Sequence, residues 1–408
     1  MSNKVVLAYS GGLDTTYCAI YLSKELGLEV HAVFVQTGGF SDDELAKIED
    51  RAMKLNVASF TVADITESYY QNCIRYLIYG NVLKNNTYPL SVSAERIVQA
   101  IAVAEHVKKI GADYVAHGST GAGNDQVRFD MIFQSMIPGV TILTPIRDKS
   151  LSREEEISFL TERGIRMDFA KAQYSVNKGL WGTSVGGKET LTSDKYLPEE
   201  AWPTQITATE PVDMTLQFEK GELIGINNIA EVNTVSAIQK LQALAQPYGI
   251  GRDIHVGDTI IGIKGRVGFE AAAPVIIIKA HHLLEKHTLT KWQLYWKDQL
   301  SSWYGNWLHE GMMLDPTMRN IEKFLEDTQQ TVTGTVHVTL MPHRFIVSGV
   351  VSEHDLMNNK FGSYGEKNNS WSGDDVKGFA KIFGNQVSIY HNVNNAITSP
   401  AETLESGK

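Results

Sequence analysis

Residues 4–16 read KVVLAYSGGLDTT. A short apolar run, Val5-Val6-Leu7, leads into Ser10-Gly11-Gly12, and the residues from Asp14 to about Leu26 have helical spacing. A strand, a glycine turn and a helix in that order is where an α/β protein holds a phosphate. The helix start presents unpaired N–H groups and the positive end of the helix dipole. Gly11 and Gly12 let the backbone come close to an anion. The spacing is neither GxxxxGK[ST] nor GxGxxG, which sets those two nucleotide folds aside. The plainer alternative is a glycine turn in which Asp14 caps the helix start.

Outward from this stretch, strand-like and helix-like segments alternate. Glu29–Val35, Ser59–Ala63, Asp113–His117 and Val140–Leu143 read as strands. Ser41 ahead of Asp42-Asp43-Glu44, and the capping box at Ser152-Arg-Glu-Glu, open helices. Ile65–Tyr79 and Ser93–Ile110 read as helices. Such alternation implies a doubly wound parallel sheet, with ligands beyond the carboxyl ends of its strands. The turn at 10–12 and a second glycine-rich turn at 118–123 should then face one crevice. After about residue 166 the rhythm changes. Residues 174–204 read as ordered loop. Met214–Phe218, Thr259–Ile263 and Val275–Ile278 read as β-type runs around a helix near 234–246. Residues 281–330 read as mostly helical and 331–352 as a hairpin. The tail reads as polar turns with a short apolar stretch around Phe379–Tyr390, and a loose SPAETLESGK end.

The 408 residues suffice for two or three domains. Lysine and arginine number 37 against 47 aspartate and glutamate, a net charge of −10 that argues against a nucleic-acid surface. The two cysteines, Cys18 and Cys73, have no zinc spacing and point to a reducing cytoplasm rather than a disulfide framework. The N-terminus fits no signal peptide, and no apolar run approaches the ~20 residues of a membrane helix.

Residues 117–130 read HGSTGAGNDQVRFD. This segment offers backbone N–H groups, a hydroxyl, an amide, a carboxylate and a guanidinium, groups that suit a small zwitterion. Ser10-Gly-Gly-x-Asp resembles the loop of the ATP pyrophosphatases. The pair AYSGGLDT and HGxTGxGNDQVRF resembles argininosuccinate synthase. Tyr174-Ser175, Leu180-Trp181-Gly182, Ser184 and GIGR at 249–252 extend the likeness over nearly the whole chain. The resemblance implies an ATP-pyrophosphatase-type nucleotide domain (1–165), a mixed α+β synthetase domain (166–360) and a C-terminal oligomerisation arm (361–408) of a cytoplasmic homotetramer. It implies a ligase that joins citrulline to aspartate with ATP and Mg²⁺, through an adenylated citrulline, in arginine biosynthesis and the urea cycle. It places Ala8, Tyr9, Ser10, Gly11, Gly12, Asp14, Thr15, Thr16 and Gly118 at ATP. Thr120, Asn124 and Asp125 fall at aspartate. Tyr88, Ser93, Asn124, Arg128, Ser175 and Ser184 fall at citrulline. Asp14, Asp125 and Arg128 are the candidate catalytic residues, with Asp125 holding or deprotonating the aspartate amine. No residue is assigned as a resident metal ligand, and neither nucleic acid nor membrane is expected as a partner.

This sequence departs from the family at one end of the site. Gly257 stands where the family has Glu, with Asp258 beside it, and Phe269 stands where it has Tyr. Val176-Asn177-Lys178-Gly179 replaces an acidic stretch, so Lys178 reverses the local sign. Ala122 replaces a lysine, and Thr37-Gly38-Gly39 replaces an Ile-Gly-Gln segment. Two alternatives follow: a related ligase that joins aspartate to a different ureido or carbonyl acceptor, and an inactive nucleotide-binding regulator. Elsewhere the plain readings are structural: a backbone-bonded His117, a non-metal His281–His282 pair, a buried Cys18, and packing or an interface for Trp292, Trp296, Trp303 and Trp307.

Overall fold

Val5, Val6 and Leu7 are fully buried, and they alternate between two faces of a sheet. Val6 packs with Val33 and Val35, while Val5 and Leu7 pack with Ala32 and Phe34 in a separate cluster. A strand buried on both faces belongs at the centre of a parallel sheet. The computed structural model, which describes residues 3–165, 174–358 and 370–394, shows that sheet. Its strands are β1 (Lys4–Ala8), β2 (Glu29–Gln36), β3 (Ser59–Asp64), β4 (Tyr114–Ala116) and β5 (Thr141–Leu143), in the order β3-β2-β1-β4-β5. Every neighbouring pair is parallel, with Val5 opposite both Val30 and Tyr114. The order reverses at β1, between β2 and β4, and ligands of such sheets sit at that reversal. The turns at 10–12 and 118–123 lie at the carboxyl ends of β1 and β4, as the alternation of elements requires.

Both expected capping boxes form. Ser41 Oγ accepts from Glu44 N–H at 3.4 Å and Ser41 N–H donates to Glu44 at 3.0 Å. Ser152 and Glu155 repeat the arrangement. Each cap stabilises its helix by about 1 kcal/mol.

The chain separates into two compact units, 1–354 and 355–408. In the first unit, β6 (Ser175–Gly179), β7 (Gly182–Gly186), β11 (Arg252–Asp258) and β12 (Lys264–Glu270) form an antiparallel sheet ordered β11-β12-β7-β6. A second antiparallel sheet contains β8 (Val212–Glu219), β9 (Glu222–Ile226), β10 (Ile229–Ala230), β13 (Gly334–Met341) and β14 (Arg344–Val351), ordered β10-β9-β8-β13-β14. One apolar core runs from Val6 through helix Ser91–Ile110 to Leu216 and Val336. In the second unit, Ser372 and Asp375 cap helix Gly373–Phe383, which is followed by helix Asn385–Val393.

Four expectations differ from the structure. Val275–Ile278 is not a strand but part of helix Ala272–Thr288. It is buried nearly all round, which hides its period, and Pro274 fits the first helical turn. Thr259–Ile263 is the turn joining β11 and β12, closed by Thr259 N–H to Ile263 C=O at 2.7 Å with Gly262 at φ +85°. The loop expected at 174–204 contains the β6–β7 hairpin, made possible by Gly182 at φ +117°. The tail is more helical than its composition suggests, and Ser372-Gly-Asp-Asp375 is the capping signal that marks it. The end expected to be loose, 399–408, lies outside the described residues.

Candidate functional site

Gly11 takes φ +77°, and the helix that begins at Leu13 has Gly12 as its N-cap with no side-chain capping bond. The first amides of that helix therefore stay open to a ligand. Ser10 N–H donates to Thr15 Oγ1 at 3.3 Å, folding the turn over the helix start. Arg51 donates to the Gly11 carbonyl and fixes the turn from outside. Ala8 and Tyr9 carry the chain out of β1, and Tyr9 N–H extends the pairing to Val33 C=O at 2.9 Å. Thr16 is buried beneath the turn. Gly118 packs directly on it: a Cβ there would sit 3.2 Å from Asp14 Cβ. The residues expected at ATP thus cluster in one place, with Tyr9 and Thr16 buried beneath the turn, and the two glycine turns touch. Behind Asp14 lies Glu156, which the sequence did not single out. Burial, then the Asp14 charge, raises Glu156 to about 8, and burial also raises Asp14. Glu156 keeps its proton beside the Asp14 carboxylate, with Arg153 nearby as the countering charge.

In the second turn His117 is a positioning residue. Its Nδ1 accepts from Ser119 N–H at 3.2 Å, which leaves the proton on Nε2 facing Asp130 at 3.0 Å. Arg147 holds the other Asp130 oxygen at 2.8 Å. Gln126 donates to Gly121 C=O and Gly123 C=O, closing the loop that presents the exposed Thr120. Asn124 Oδ1 accepts from Ile260 N–H at 2.7 Å, which docks the β11–β12 turn against this loop.

Asp125 lies between two guanidinium groups. Arg96 Nε donates to it at 3.1 Å and Arg128 Nη1 at 2.9 Å. Burial alone would raise its carboxyl, but Arg96 and Arg128 outweigh that and hold it below the ordinary carboxylate range. Arg128 also donates to the His309 carbonyl from Nε at 3.0 Å and Nη2 at 2.8 Å. Arg96 Nη2 reaches Asn177 Oδ1 at 2.5 Å, and Asn177 Nδ2 donates to Ser184 Oγ at 3.4 Å. A continuous polar relay therefore links Ser184, Asn177, Arg96, Asp125 and Arg128. Arg96 is its hub. Its signal in the sequence was the charged pair Glu95-Arg96 in the first turns of helix Ser91–Ile110.

Tyr88 precedes Leu90, which is buried in the left-handed conformation at φ 61°. That kink turns Val92 N–H onto the Tyr88 hydroxyl at 3.0 Å. Phe269 packs on Tyr88 with centroids 5.3 Å apart and pairs across the sheet with Ser184. Ser93 Oγ is buried and finds no partner among the described residues. Ser175 shares a strand face with Asn177 but is exposed, two residues farther out. Lys178 does not reverse the sign of the site, because it pairs with Glu44 at 2.9 Å. His281 bonds to Asn81 at 2.7 Å and Gln329 at 2.8 Å within the core, as its non-metal reading anticipates.

Two family models match the chain. One, described as the arginosuccinate synthase N-terminal HUP domain, covers residues 4–166; the other, the arginosuccinate synthase C-terminal domain, covers 174–390. Among curated relatives, the argininosuccinate synthase of Dictyoglomus turgidum is 35% identical over 389 residues, covering 95% of this chain and 97% of the relative. That of Methanocaldococcus jannaschii is 35% identical over 395 residues, with 96% and 98% covered. That of Pyrococcus furiosus is 34% identical over 406 residues, with 98% of each covered. With the paired glycine turns at the sheet's reversal and matches over nearly its full length, the chain belongs to the argininosuccinate synthase family.

Proposed function

We propose that this chain is an AMP-forming ligase that joins aspartate to citrulline, consuming Mg·ATP and giving argininosuccinate, AMP and pyrophosphate. The observation that carries the reading is the contact of Gly118 with Asp14, which joins the phosphate turn to the loop that leads into the Asp125–Arg128 relay. The pyrophosphate of ATP rests on the open amides at the helix start, residues 13–15. The ureido oxygen attacks the α-phosphorus in line and pyrophosphate leaves. The aspartate ammonium gives up a proton to the adenylate's phosphate oxygens or to solvent, and the free amine then adds to the adenylated carbon and expels AMP. No side chain acts as a nucleophile; positioning and charge supply the rate. Asp125 is ionised and weakly basic, so it holds the aspartate ammonium rather than deprotonating it. Among the described residues no group of three His, Cys, Asp or Glu side chains could hold a metal. Mg²⁺ would come with the nucleotide: Asp14 at the phosphate turn is the protein carboxylate that would hold it, and the ion would neutralise phosphate charge.

The ATP-binding domain ends near 165, the synthetase domain near 360, and the remainder is an arm of a homotetramer. Exposed Trp292, Trp296 and Trp303 support an interface on helix Lys291–His309. Two buried free cysteines fit the cytoplasm, and among the described residues no helix is long and apolar enough to cross a membrane.

The test is pyrophosphate release from Mg·ATP with each amino acid alone and with both. Release that requires both, with argininosuccinate as product, is the expected result. ATP binding without release under any ureido acid would overturn the reading.

A further inference from the structure

Beside Tyr88 the site carries a cluster of basic side chains. The His255 ring stacks on Tyr88 with centroids 5.0 Å apart and planes 22° apart. It is 5% exposed, yet neither ring nitrogen finds a partner among the described residues. The ring fills the space beside Gly257: a Cβ at that position would lie 2.5 Å from Nε2. His309, equally buried, accepts from Arg128 Nη2 at Nδ1, 3.4 Å away. Its proton therefore sits on Nε2, which has no well-aligned partner although the Asp258 carbonyl is near. The Lys84 backbone bridges to Tyr88, on which His255 stacks, and its side chain is held to Asn306 at 2.9 Å; its charge acts on His255, His309 and Arg128. Burial, then the neighbouring cations, keeps both imidazoles neutral in the empty protein, at about 4 for His255 and about 3 for His309.

The acids near this cluster are committed or face solvent. Asp125 is clamped by two arginines and is already taken by the aspartate ammonium in the ligase reading, and exposed Asp258 pairs with Lys264 at 2.6 Å. Asp253 and Glu310 are exposed. Glu95 is buried, but Thr37 and Gln99 bond it from one side and Gly179 covers its free oxygen. Neutral His255 and His309 each keep one buried N–H without a well-aligned partner, which a ligand's acceptor atoms would satisfy. A free ammonium would instead meet Lys84 and Arg128, with only the unprotonated His255 nitrogen to accept from it and, among the described residues, no uncommitted buried carboxylate beside the cluster.

We propose that Lys84, Arg128, His255 and His309 form an anion-binding wall, so that the preferred acceptor is a ureido acid whose α-nitrogen is acylated or absent, not a zwitterion. This rests on the ligase reading above and refines its acceptor.

The test measures kcat/KM for pyrophosphate release with Mg·ATP and aspartate, using citrulline, N-acetylcitrulline and 5-ureidopentanoate. At least one of the two acceptors without an ammonium should exceed citrulline by about tenfold or more, about 1.4 kcal/mol. If only the acylated acid does so, the wall binds the acyl oxygen; if both do, loss of the ammonium suffices. His255→Phe keeps the ring stack but removes the nitrogens, and should shrink the preference mainly through KM. Lys84→Met should do the same if the His255 variant fails to fold. Citrulline equalling or surpassing both acids would overturn the inference while leaving the ligase reading intact. No release with any of the three would overturn the ligase reading and this inference together.

Discussion

Glu156 shows how a residue outside the recognisable motifs sets the behaviour of one inside them. At neutral pH it keeps its proton in the folded state, because burial and the Asp14 charge push it up to about 8. In the unfolded chain it releases that proton near the ordinary glutamate value of about 4.3. Between those values the folded state binds more protons, so this group's contribution falls as pH rises from about 4.5 to about 8. Glu156→Gln retains a donor for Asp14 and cannot ionise. Thermal unfolding across that window should show the variant gaining on the wild type as pH rises, by about 1–2 kcal/mol at the upper end. A gap that does not change with pH would mean Glu156 is ionised in the fold. Arg128 makes a contrasting prediction. Its planar fork serves Asp125 and the His309 carbonyl at once, which a lysine ammonium cannot do. Arg128→Lys should lower kcat/KM for the acceptor about a hundredfold, with KM for ATP nearly unchanged in steady-state assays. Asp14, Asp125 and Arg128 were legible from motif and resemblance. Glu156, Arg96 and His255 were not, because their importance comes from partners far away in sequence that only the fold brings near.

At the scale of elements, the parallel sheet was readable because its strands and helices keep distinct periods and carry their own caps. The glycine turns were readable because backbone approach demands small residues. Val275–Ile278 misled because a run buried all round has no polar face to show its period. The β6–β7 hairpin was hidden because its residues are polar and small, and its stability comes from pairing with β12 and from buried Trp181, which donates to Pro89 C=O at 2.9 Å. The contact between the two glycine turns yields a prediction of its own. A methyl at Gly118 would lie 3.2 Å from the Asp14 Cβ and carbonyl carbon and 3.3 Å from Thr15 Cγ2, so the turns must part by a few tenths of an ångström. Gly118→Ala should raise KM for ATP about five- to tenfold, with little change in Tm, because the strain falls on the phosphate cradle and not on the core. An unchanged KM would mean that the two turns do not act as one cradle.

For the whole molecule, the decisive contrast lies between the two units. Unit 1–354 has an extensive apolar core that continues from the parallel sheet into the antiparallel one. The described helices of the second unit, Gly373–Phe383 and Asn385–Val393, have no buried residue. Val376, Phe379, Ile382, Phe383, Val387, Ile389, Tyr390 and Val393 are instead exposed. Two short helices with that much uncovered apolar surface gain little stability alone, since most helical stability in proteins comes from packing an apolar face. In the tetramer proposed above, a second copy of the chain would cover them, with the arm as the assembly element. Phe379 and Phe383, stacked at 5.3 Å, form the largest aromatic pair on that surface. Replacing both with aspartate puts charge where a dry contact would form, while the residues that build the site all lie in the first unit. Light scattering after size exclusion should therefore show a tetramer for the wild type and a smaller species for the double variant. Thermal unfolding of that smaller species should remain cooperative, because its core is in unit 1–354. An unchanged mass would show that the assembly does not use this arm, leaving the exposed tryptophans of helix Lys291–His309 as the surface to substitute next.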